Sequence, residues 1–120
     1  MIFSNLDLKK FMYCIKPVID HVGNDVEIGS SSWKKYPNSY YKEIHINYDV
    51  ICKISCDKAL DSGWFCYITY PIIAPIKTET YNYIKLGHMS TNTIRCPTRK
   101  ACEEFCIRFV EEAFGVKHDN

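Results

Sequence analysis

The chain has 120 residues and a formal net charge of +1, from 15 Lys and Arg against 14 Asp and Glu. Charge this close to balance excludes a global attraction for nucleic acid or anionic membrane and leaves only a local patch for such binding. Apolar residues make up 47% of the chain, enough for one real core, so residues 1–120 read as one domain.

The opening residues place apolar Met1, Ile2 and Phe3 ahead of Asp7, Lys9 and Lys10, the reverse of a secretion signal. A helix is expected over residues 5–22, because Leu8, Phe11, Met12, Ile15, Val18, Ile19 and Val22 recur at three- and four-residue spacing. Ser4 or Asn5 is placed to cap it, Asp7 suits the first turn, and Gly23-Asn24 closes it. Pro17 falls inside the pattern and predicts a kink or break near residues 13–16.

A short strand follows at about residues 25–28, then a polar stretch at 29–32 and an aromatic, basic loop at 33–41. From 44 to 56 the chain alternates. Ile44, Ile46, Tyr48, Val50, Cys52, Ile54 and Cys56 fall on one side, and Glu43, His45, Asn47, Asp49, Lys53 and Ser55 on the other. That period of two predicts one long strand with a dry and a wet face, interrupted only by Ile51. Residues 64–70 are apolar or aromatic at nearly every position, the pattern of a central strand covered on both faces. A proline-bounded connection at 71–80, a third strand at 81–88 and an edge piece at 93–96 complete the sheet.

The last element is a helix over 97–114, with Ala101, Cys102, Phe105, Cys106, Phe109, Val110 and Ala113 on its dry stripe. Pro97 opens it and Gly115 ends it, leaving a frayed tail at 116–120. The expected fold is therefore α+β: an antiparallel sheet of three to five strands flanked by an N-terminal and a C-terminal helix. The apolar run at residues 72–76 is far too short to cross a bilayer, so no membrane partner is expected.

Seven cysteines, an odd number, together with the absence of any Asn-x-Ser/Thr sequon, point to free thiols in a reducing cytoplasm. Cys52 and Cys56 have zinc-like spacing, but within a strand they stand about 13 Å apart and cannot share an ion. Cys102 and Cys106 lie one helical turn apart, with Cys96 or His88 as conceivable further ligands. Both occupy the apolar stripe, where cysteine serves as a small hydrophobe. The cysteines are therefore read as core filling, with no metal and no cofactor. No base stands opposite them at a required spacing, so a cysteine nucleophile is not expected either.

The wet face offers Glu43, His45, Asn47 and Asp49 at steps of about 6.6–7 Å, a polar strip for contact or acid–base work. Trp33, Lys34, Lys35, Tyr36, Tyr40 and Tyr41 form the densest aromatic and basic cluster, suited to a protein interface or to stacking on bases. Ile72, Ile73 and Ile76 lie on a proline-stiffened segment that is either a docking knob or a buried strand extension.

The expected function is that of a small non-enzymatic, cytoplasmic binding protein that occupies a surface of a larger host protein or ribonucleoprotein complex. The candidate contacts are Trp33, Lys34, Lys35, Tyr36, Tyr40, Ile72, Ile73 and Ile76, then His45, Asn47 and Asp49. Twelve lysines against three arginines, with abundant Ile, Tyr and Asn, match AT-rich codon usage. The most concrete form is then a phage or mobile-element inhibitor of a host defence complex, in the manner of anti-CRISPR proteins. A nucleic-acid-binding module using loop 33–41 with Lys9, Lys10, Arg99 and Lys100 is the alternative, and a small hydrolase or nuclease using His45 and Asp49 is a third. Homodimerisation through an uncovered sheet edge or face is compatible with each.

Overall fold

The computed structural model describes residues 3–37, 39–47, 50–76 and 82–116. Two short helices open the chain, α1 (Asn5–Cys14) and α2 (Lys16–Val22). They are separate because Ile15 leaves helical geometry (φ −107°, ψ 11°) and Pro17 sits in the first turn of α2, where its missing N–H costs no bond. Ser4 caps α1 by accepting the Asp7 N–H at 3.1 Å. Gly23 ends α2 at φ +55°, a conformation that glycine adopts without a Cβ penalty.

Seven antiparallel strands follow: β1 (Ile28–Ser30), β2 (Lys34–Tyr36), β3 (Ser39–Ile46), β4 (Val50–Lys58), β5 (Trp64–Ile76), β6 (Asn82–Ser90) and β7 (Ile94–Cys96). Helix α3 (Arg99–Ala113) closes the fold, with Thr98 capping it by accepting the Ala101 N–H at 3.0 Å. The expectation of three to five strands between two helices is thus corrected to seven strands and three helices among the described residues. The sheet runs β1-β3-β4-β5-β6; β2 joins β1 on the edge of β3, and β7 joins β6 on the edge of β5. Three-residue strands at these edges escape periodicity, since three positions cannot establish a period.

The alternating segment 44–56 is two strands. Ile46 and Val50 are direct partners across a hairpin, so the even-numbered side chains stay on one face on both sides of it. Asn47 at φ +48° begins the connection, in a region that asparagine tolerates better than most side chains. Tyr48 and Asp49 lie outside the described residues. Residues 34–36 and 39–41, expected as loop, instead pair as a second hairpin, with Tyr36 opposite Ser39. The connection at 71–80 is also revised. Strand β5 continues through Pro71 to Ile76 and pairs with β6, with a register shift between Ile72 and Ile73. Of the expected tail, residues 117–120 lie outside the described residues, while the Val116 N–H still donates to Glu111 O at 3.0 Å.

All three helices pack on the same face of the sheet. Ile44, Ile46, Val50, Cys52, Ile54, Cys56, Cys66, Ile68 and Tyr70 are buried there against Phe11, Ile15, Val18, Cys106, Phe109 and Val110. Phe11 is the keystone, edge-on to Tyr70 with ring centroids 4.9 Å apart and tilted against Phe109 at 5.1 Å. The opposite sheet face carries no helix among the described residues. That overturns the reading of residues 64–70 as covered on both sides: Phe65 remains 39% exposed and Tyr67 is half-buried.

Candidate functional site

Strand register decides which side chains share the open face. Ser39, Asp57, Phe65 and Arg95 form one row across β3, β4, β5 and β7. Tyr41, Ser55 and Tyr67 form the next, with Lys34 of β2 beside Tyr41. Glu43, Lys53, Thr69 and Ser90 form the third, and His45 pairs with Ile51 beyond them. Tyr36 stacks on Tyr41 with centroids 5.1 Å apart and planes at 18°, and stays 53% exposed. The result is an aromatic platform of Tyr36, Tyr41, Phe65 and Tyr67.

Cations border this platform, and two of them, Lys53 and Arg95, have an acidic neighbour. Lys34 and Lys53 lie 5.5 and 4.8 Å from the centroid of Tyr41. Lys53 stands directly across from Glu43. Arg95 lies 5.5 Å from the centroid of Phe65 and donates to both Asp61 carboxylate oxygens at 2.6 and 2.7 Å and to Ser62 O at 2.7 Å. That guanidinium holds the Asp61 carboxyl down at about 2. The face is therefore aromatic and close to neutral.

Loop 33–41 divides between the two faces. Lys34, Tyr36 and Tyr41 join the open platform, while Trp33 and Tyr40 turn to the helix side and hold the first turn of α3. There the Arg99 guanidinium lies 4.2 Å from the centroid of Tyr40, 5.4 Å from Trp33 and 6.0 Å from Trp64. Lys35 lies above Tyr40 at 5.9 Å. The carboxylate of Glu103 accepts from Trp33 Nε1 at 3.2 Å and from Lys42 Nζ, a lysine only 8% exposed. Burial raises the Glu103 pKa, but these hydrogen bonds outweigh it and leave the carboxyl below 4.5.

The remaining sequence candidates are scattered. Ile73 is buried and Ile72 is half-buried in the strand extension, and the Ile76 side chain lies outside the described residues. His45 sits on the open face with Nε2 3.6 Å from Glu43 Oε1. Asn47 accepts from the Glu27 N–H through Oδ1 at 2.5 Å, and its own N–H donates to Glu27 O at 2.9 Å, so it ties β1 to the hairpin. Phe65, Tyr67 and Arg95 were not among the candidates. Their period-two placement in 64–70 was the available signal, masked by the apolar residues between them.

A second cluster lies under the sheet. The Sγ atoms of Cys56, Cys66 and Cys102 all fall within 4.8 Å of one another, and those of Cys96 and Cys106 lie 3.9 and 4.0 Å from Cys66. All seven thiols are free and buried. Cys52 stands apart, its thiol pushed up to about 12 by burial, and Cys14 instead contacts Met89 Sδ at 3.5 Å. Among known proteins, no family model, no curated protein and no solved structure matches the chain.

Proposed function

We propose that the chain is a non-enzymatic binding domain that docks a protein partner on the open face of its sheet. The observation that carries this reading is the helix-free platform of Tyr36, Tyr41, Phe65 and Tyr67, two of them more than a third exposed. Tyrosine and phenylalanine supply large contact area at low entropic cost, which is why they dominate interface hot spots. Charge balance favours a protein over a nucleic acid. Phosphate-driven binding needs a surplus of cations, whereas here Lys53 faces Glu43, Arg95 binds Asp61, and Asp57 shares the row of Phe65 and Arg95. His45 and Glu43 lie in the same surface and are read as contacts of its rim. In its most specific form, drawn from residue usage, the partner is a host defence complex and the chain its cytoplasmic inhibitor.

The test is comparative capture from nuclease-treated host extract on immobilised protein. Wild-type protein retains a partner, and Tyr36→Ser/Phe65→Ser loses it. Each truncated hot-spot ring costs about 2 kcal/mol, roughly 30-fold in Kd. Leu86→Ser, at an exposed apolar residue of β6, leaves capture unchanged. Equal retention by the double variant refutes the reading. Retention seen only from extract not treated with nuclease, and weakening steeply with salt, identifies nucleic acid instead. Concentration-dependent self-association abolished by the same double variant identifies a second copy of the chain.

A further inference from the structure

We propose that Cys56, Cys66, Cys96 and Cys102 form a structural zinc site that ties β4, β5 and β7 to the first turn of α3. Cysteine used only as a small hydrophobe has no reason to gather. Cys14 and Cys52 show the dispersed pattern, yet the other five thiols converge on one point around Cys66. The topology brings them there: Cys56 and Cys66 are direct cross-strand partners, Cys96 ends the strand beside Trp64–Cys66, and Cys102 enters from the helix above.

The spacing fits one ion. Zinc–thiolate bonds of about 2.3 Å at tetrahedral angles place sulfurs about 3.8 Å apart. The Cys66–Cys96 distance is 3.9 Å, and Cys56, Cys66 and Cys102 lie within 4.8 Å of one another. A disulfide brings its sulfurs to about 2.05 Å, well inside these separations. Sulfurs this close to one another leave room for a single ion and none for a multi-iron cluster. Three mutually close thiols with a fourth, Cys96, 3.9 Å from Cys66 make a wholly buried all-sulfur donor set, which selects zinc in a structural role.

Thr98 caps α3 and Cys102 lies in its first turn, from which its sulfur reaches those of Cys56 and Cys66. Zinc binding displaces the protons of its thiol ligands, so one cation would take the place of protons among these gathered sulfurs. Cys106, 4.0 Å from Cys66, completes the surround as a donor to a bound thiolate. This site is independent of the sheet-face proposal, because it lies beneath the opposite face.

The experiment measures metal in protein purified without added metal or chelator. About one zinc per chain is expected, retained by Cys14→Ser and Cys52→Ser and lost by Cys66→Ser and Cys102→Ser. Protein refolded with Co2+ is expected to show the intense sulfur-to-cobalt charge-transfer bands and visible d–d bands of a tetrathiolate. A chelator applied during refolding is expected to prevent native structure. If the Cys66 and Cys102 variants do not fold, wild-type zinc content and the cobalt spectrum decide alone. A zinc-free protein that melts cooperatively, unmoved by zinc or chelator and without cobalt bands, overturns the proposal. Zinc retained by Cys96→Ser but lost by Cys106→Ser overturns the assignment of the fourth ligand.

Discussion

Glu103 joins the C-terminal helix to the aromatic hairpin, and its replacement gives a sharp energetic test. Its carboxylate serves two donors, the Trp33 indole and the Lys42 ammonium, whose side chain is only 10% exposed. In Glu103→Ala both lose their acceptor at once. Breaking a fully buried ion pair costs about 3–5 kcal/mol, but the Glu103 side chain is 24% exposed, so water reaches the vacated position. The expected loss is therefore about 2 kcal/mol. Lys42→Met removes the charge with its desolvation cost and leaves Glu103 bonded to Trp33, so it is expected to cost only about 1 kcal/mol. A double-mutant cycle on these two positions, read by urea unfolding with tryptophan fluorescence, is expected to give a coupling of about 1.5 kcal/mol. A coupling below about 0.5 kcal/mol, the range of exposed pairs, refutes the claim that this bridge fastens the hairpin to α3.

The same carboxyl sets a pH dependence. Its folded pKa lies below 4.5, so its contribution is present above that pH and is lost as the pH falls through the folded value. Urea midpoints should drop between about pH 6 and about pH 3, and less steeply in Glu103→Gln, which has no charge to lose. Phe11→Ala empties the keystone between Tyr70 and Phe109 and is expected to cost about 3–5 kcal/mol in urea unfolding. Gly63→Ala is expected to lower the melting temperature, since φ is +88° and the new Cβ would sit 2.9 Å from Cys96 O. Gly23→Ala has open space around it and pays only the dihedral cost, so it should be the milder change.

The helices were legible because their apolar stripes and caps are local. Pro17 announced the break that Ile15 makes, and Thr98 rather than Pro97 sets the start of α3, as its N-cap ahead of Arg99. The 44–56 segment shows where period alone misleads. Ile46 and Val50 are partners, so the hairpin preserves parity, and the alternation runs on as though no turn intervened. Asn47 and Asp49 carried the turn signal, but they also fit the polar side of a continuous strand.

The platform and the thiol cluster were hidden for a different reason. Both are assembled by register between strands. Phe65 and Tyr67 meet Tyr41 only when β4 is laid between β3 and β5. Cys56 and Cys66 are ten positions apart in sequence and opposite one another in space. A search for short zinc-knuckle spacings passes over such a pair. The aromatic loop was seen as one cluster, yet strand alternation sends Tyr40 and Tyr41 to opposite faces, one to cage Arg99 and one to the open surface.

Hydroxyl-radical footprinting of the captured complex tests most directly whether the open sheet face is the working surface. Side-chain oxidation at Tyr36, Tyr41 and Phe65 is expected to fall on partner binding. Tyr13, 80% exposed on α1, and the fully exposed Leu60 serve as internal references whose rates should hold. Protection of Tyr13 with unchanged rates at Tyr36, Tyr41 and Phe65 would place the partner on the helices and contradict the account.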